Sequence, residues 1–169
     1  MKSLSMALAA SLIATCTQAA DCGFMPLHIT ADASAPGWFS AGGERFEVRF
    51  NNEDSTIAEP DSFPEPPAVI LDKASGRQCL IEDGGIWARA PMYLSLDETR
   101  LLTHETSGSG GDLMVYDTLT CKRLLSRDIS GLYPAVEGNH LILGSQCNGN
   151  EITDCRVLAR EPLGPLCRP

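Results

Sequence analysis

The sequence predicts an all-β, antiparallel fold stapled by disulfides, and three observations carry that expectation. Short apolar runs alternate with turn residues along the chain. No segment sustains apolar spacing at three and four residues without glycine or proline breaking it, so helical signals are weak throughout. The third observation is a weak internal repeat. Val69-Ile70-Leu71-Asp72 and Met114-Val115-Tyr116-Asp117 are both apolar runs closed by aspartate, and each is followed by a further aspartate, Asp83 or Asp128. A period of roughly 40 to 45 residues built from short strands and turns is the pattern of a propeller blade.

Taken in chain order, Arg45 to Phe50 reads as a strand that opens an early copy of the unit, which a proline-rich insert from Glu59 to Pro67 interrupts. Within that insert, Phe63-Pro64-Glu65-Pro66-Pro67 is stiff and extended in the manner of polyproline II, and a structured loop is its plainer role. Glu82-Asp83-Gly84-Gly85-Ile86-Trp87 reads as a tight acidic turn leading into a buried Trp87. In the next unit, Tyr93 to Leu96 runs through an Asp97-Glu98 turn into Leu101-Leu102-Thr103. In the last, Tyr133 to Val136 runs through Glu137-Gly138-Asn139 into Leu141-Ile142-Leu143. Three such units do not easily close a ring of about four or more blades, so an open or incomplete propeller is expected, with a β-sandwich as the alternative.

Residues 1–20 read as a signal peptide: Lys2, a short apolar stretch, and small residues at Ala19 and Ala20. Cys16 as a lipid-anchored residue is the competing reading, and Thr15 before it fits a lipoprotein signal poorly. The remaining chain, 21–169, is long enough for one domain with its own core and holds no second apolar run of membrane length. With 13 basic and 22 acidic residues the formal net charge is −9. That balance disfavours nucleic acid and anionic lipid as partners and would steer a basic protein partner.

The six cysteines beyond the leader are Cys22, Cys79, Cys121, Cys147, Cys155 and Cys167. An even set in an exported chain argues for disulfides, and no C-x-x-C pair suggests zinc. Sequence alone leaves the pairing open. Cys147 and Cys155 flank the turn-forming Asn148-Gly149-Asn150, Cys79 and Cys121 hold related places in the repeat, and Cys22 and Cys167 lie at the two ends, which suggests those three pairs.

Chemistry for catalysis is sparse. His28, His104 and His140 show no metal-ligand spacing, so neither a metal nor another cofactor is expected. Ser109, His104 and Asp112 are the residue types of a nucleophilic triad, but residues so close along one strand and loop do not easily line up nucleophile, base and orienter. The nucleophile elbow is absent, since Ser107 stands where its first glycine belongs. The two carboxylates of the Glu82 turn are too few for a calcium loop.

What stands out instead is Ser107-Gly108-Ser109-Gly110-Gly111, five small residues between strand-like segments. Such a loop lets backbone enter a narrow cleft while its hydroxyls donate or accept, though a flexible hairpin tip is the plainer reading.

A set of residues in one order then carries a resemblance. Asn52-Glu53-Asp54, Phe63 to Pro67, Ile81 to Trp87, His104-Glu105, Ser107-Gly108-Ser109, Tyr116-Asp117, Thr120-Cys121-Lys122 and Asp128-Ile129-Ser130-Gly131 together resemble periplasmic immunity proteins that neutralise peptidoglycan amidase effectors of type VI secretion systems. The likeness is strongest over residues 51–131 and extends more loosely to Cys147, Cys155 and Cys167. It implies a non-enzymatic, β-rich periplasmic inhibitor whose partner is a cognate peptidoglycan amidase of the papain-like cysteine type, with no small-molecule substrate. It also implies that Ser107 to Gly111 enters the effector's catalytic groove, Ser109 meeting the catalytic dyad. Gly110 stands where the family loop can carry a further serine. A small periplasmic hydrolase and a ligand-binding or scaffold module are the competing classes.

Overall fold

The computed structural model describes residues 23–52, 54, 56–82, 84–108, 110–149 and 151–167. The expected leader, Cys22, Asp83, Ser109 and Asn150 lie outside the described residues. The strands are β1 (Phe24–Pro26), β2 (Thr30–Ala31), β3 (Trp38–Gly42), β4 (Phe46–Asn51), β5 (Ser62–Phe63), β6 (Glu65–Asp72), β7 (Arg77–Ile81), β8 (Ile86–Ala88), β9 (Tyr93–Ser95), β10 (Arg100–Ser107), β11 (Gly110–Asp117), β12 (Arg123–Asp128), β13 (Tyr133–Glu137), β14 (His140–Cys147) and β15 (Cys155–Pro162). Single 3-10 turns at Ile152–Asp154 and Gly164–Leu166 complete the described elements. The fold is all-β and antiparallel, as the sequence predicts.

Three sheets form, each largely a meander in chain order. The first runs β2-β3-β4-β6-β7, the middle one β1-β9-β10-β11-β12 with β8 and β5 attached through β10, and the third β13-β14-β15. Alternation places Phe46, Val48 and Phe50 of β4 inward. The middle sheet is covered on both faces. Leu101, Met114 and Tyr116 join the cluster shared with the first sheet, while Leu102, Leu113 and Val115 join the cluster shared with the third. A strand buried on both faces needs a continuous apolar run, which is why Leu113 to Tyr116 has no polar interruption.

The repeat is physical. Asp72 closes β6 and Asp117 closes β11, and both carboxylates accept backbone N–H groups of the following turn, from Ala74 (3.0 Å) and from Leu119 and Thr120 (3.1 and 2.8 Å). Both turns then pass through positive φ, at Gly76 (+70°) and Cys121 (+57°). Tyr93 and Tyr133 each begin the first strand of a hairpin. The early copy departs from expectation: Arg45 to Phe50 is chiefly the second strand of its hairpin, whose first strand starts at Trp38.

The proline-rich insert stitches two sheets together. β5 leaves the first sheet and pairs with β8, opposing Phe63 to Trp87. Phe63 stacks on Phe50 with ring centroids 4.8 Å apart, and Phe50 meets Trp87 at 5.9 Å, so three aromatics from three strands fill one site. Trp87 is fully buried, as the sequence suggests. Covalent ties reinforce the stack. Cys79–Cys121 joins β7 to the turn after β11 (Cα–Cα 5.7 Å), and Cys147–Cys155 closes the β14–β15 hairpin. Both match the suggested pairing. Cys167 is also disulfide-bonded, and Cys22, its suggested partner, lies outside the described residues.

Candidate functional site

The small-residue segment caps the β10–β11 hairpin. Register pairs His104 with Leu113, Glu105 with Asp112, Thr106 with Gly111 and Ser107 with Gly110, and Gly108 is the described residue beyond the ladder. Gly108 holds positive φ at +61°, a conformation that glycine adopts freely. The expected loop of five is therefore shorter: Ser107, Gly110 and Gly111 are ladder residues. Glycine is depleted from strands, so the sequence favours a loop there. Close approach explains the exception at Gly111. It is buried, a Cβ on it would lie 3.0 Å from His104 Nε2, its N–H donates to Ser130 Oγ (3.1 Å), and its carbonyl accepts the Ile129 N–H (2.8 Å).

The tip projects from that base. Ser107 and Gly108 are exposed, and a side chain at Gly108 would meet nothing within 4 Å. Ser109 lies outside the described residues. The two strands of the hairpin contribute to both hydrophobic clusters.

Below the tip sits a buried carboxylate. Glu105 is 2% exposed. Its Oε1 accepts the hydroxyls of Thr103 (2.8 Å) and Tyr116 (2.7 Å), and its Oε2 accepts the Gly85 N–H (2.9 Å). The network fastens β10 to β11 and to Gly85 before β8. Polar groups so buried are tolerated because each is paired. Glu105 sits inside β10 and satisfies backbone at Gly85. An inward carboxylate two positions from Thr103 was the available signal, and sequence reasoning passed over the network it forms.

His104 projects to the opposite face from Glu105 and its cross-strand neighbour Asp112. Burial pushes its imidazole below the ordinary value, against the raising influence of Glu105 and Asp112. His104 and Asp112 face opposite sides of the ladder and no hydrogen bond joins them among the described residues, so these two do not form the base and orienter of a triad. Among the described residues no three histidines, cysteines or carboxylates converge to hold a metal. No helix among them is long and apolar enough to cross a membrane.

Sequence comparison adds to this geometry. A family model described as "Immune protein Tsi1" matches residues 22–167. An immune protein Tsi1 of Pseudomonas aeruginosa is 42% identical over 168 residues, covering 99% of this chain and 98% of the relative. With the match spanning all three sheets, the hairpin and the cysteines that pair, this chain belongs to the Tsi1 immune protein family.

Proposed function

We propose that this chain is the antidote to a type VI secretion effector that cleaves peptidoglycan, a cysteine amidase, and that it acts in the periplasm after removal of the leader at residues 1–20. Residues 21–169 work as one immunity domain. The family supports an inhibitor and not an enzyme, and the resemblance carried by residues 51–131 supports the amidase. The observation that carries the mode of action is the β10–β11 hairpin tip, where exposed Ser107 and Gly108 with open space around them stand on a doubly packed base. That shape suits entry into a narrow groove. A cysteine amidase depends on a thiolate beside an imidazole, so a plug that excludes substrate and hydrogen-bonds the imidazole through Ser109 blocks the enzyme without reaction. Disulfides suit the oxidising address.

Titrating the purified effector with this chain while following release of peptidoglycan fragments tests the reading. Stoichiometric inhibition is expected, and binding should survive replacement of the effector's nucleophilic cysteine by alanine. An effector that degrades peptidoglycan at full rate with excess inhibitor present sinks it.

A further inference from the structure

A cleft of about 580 Å³ opens behind the hairpin, within the roughly 300–1,000 Å³ typical of ligand sites. The link between β1 and β2, the segment after β8, β10 and the start of β13 form its walls, through His28, Arg89, His104 and Tyr133. His104 connects it to the tip, since the imidazole that lines the cleft is the one against which Gly111 packs. The cleft and the proposed plug therefore share a wall.

The lining chemistry is unusual for this chain. The formal net charge is −9, yet two of the three histidines and an arginine gather here, with Asp61 the carboxylate among the lining residues. Arg89 is held in place: its Nε and Nη2 donate to the Ile29 carbonyl at 3.3 and 3.0 Å. Its Nη1 faces the loose, exposed Glu59 at 3.9 Å. A fixed guanidinium, two imidazoles and a phenol offer donors, and Leu27 and Ile29 offer apolar wall for an aliphatic stem.

We propose that this cleft is a second docking point for the effector, receiving a segment that carries an aspartate or glutamate side chain. The proposal rests on the reading of this chain as an effector inhibitor. The plug occupies the effector's groove, and the cleft holds the adjoining rim. Two contacts separated by a rigid strand fix orientation, which one loop does not.

The test measures effector affinity for Thr30→Trp, which fills the exposed mouth of the cleft, and for His28→Asp, which sets a carboxylate against the incoming one. His28→Asn keeps hydrogen bonding without the charge. Thr30→Trp and His28→Asp should each weaken binding tenfold or more with unchanged melting, while His28→Asn costs a few-fold at most. In the wild-type complex, hydrogen exchange at residues 27–30 and 88–90 should slow on binding. Unchanged exchange there, or full affinity in both disruptive variants while Gly108→Trp binds weakly, overturns the second docking point and leaves the plug standing. Full affinity in all three overturns the plug as well.

Discussion

The hydroxyl of Tyr116 donates to the buried carboxylate of Glu105 across the β10–β11 ladder at 2.7 Å, tying the two strands that carry the tip. Both side chains are essentially inaccessible to water. Removing either takes a hydrogen bond from a buried polar partner, which costs more than the net gain from making that bond.

Glu105→Ala should lower stability by about 2 kcal/mol or more, because Tyr116, Thr103 and Gly85 each lose a partner. Tyr116→Phe should cost about 1 kcal/mol. Thermal melting checks both. If Glu105→Ala melts with the wild type, the carboxylate does not hold the base together.

Substitutions in the tip should separate binding from folding. Gly108→Trp meets open space, so it should lose about a hundredfold or more in effector affinity for roughly 1 kcal/mol of backbone strain. Ser109→Ala should lose only a few-fold, about 1 kcal/mol, in affinity. Gly111→Val should do the opposite, lowering the melting temperature because the new side chain meets the His104 ring. Calorimetric titration and melting of the same three variants decide. A Gly108→Trp protein that inhibits at full strength would falsify the plug.

Acid should weaken the fold through carboxylates held in the charged form. Hydrogen bonding from Arg45 holds Asp72 down at about 2. Burial of Glu98 opposes ionisation, but the N–H groups of Phe46, Glu44 and Arg45 outweigh it and keep its carboxyl below the usual range. A depressed folded value means stability is fully present above the unfolded value, about 3.9 for aspartate, and is lost as pH falls through the folded one. Urea midpoints should therefore drop between about pH 4 and 2, and Asp72→Asn should flatten that drop. An equally steep acid limb in Asp72→Asn would exclude Asp72 as a contributor.

The Cys79–Cys121 bridge should contribute about 2 to 5 kcal/mol. Cys121 holds positive φ, as Gly76 does in the matching turn. With Cys79→Ala in the background, Cys121→Gly should therefore melt higher than Cys121→Ser, since glycine adopts that conformation freely. The reverse order would show that the left-handed backbone at position 121 carries no cost.

Much of the fold was legible because it depends on local pattern. The aspartates that end β6 and β11 announced themselves as the close of apolar runs, and the pairing of Cys147 with Cys155 came from the turn between them. The loop's extent was not legible. Whether Gly110 and Gly111 join a ladder depends on what lies against them, and Ser130 and His104 come to Gly111 only through tertiary packing. The cleft was hidden for the same reason, since His28, Arg89, His104 and Tyr133 come from four separate stretches of chain.

Segments that recognise partners usually come from the part of a protein that opens most readily. Under the proposed plug, the middle sheet would reverse this. Since β10 and β11 contribute to both hydrophobic clusters, the amides of these strands should exchange with solvent only through global unfolding, and the strands themselves have little left to order on contact. If the proposed plug is the contact, its supporting strands are in place before the partner comes. The entropy of ordering is settled when the chain folds, before any toxin arrives.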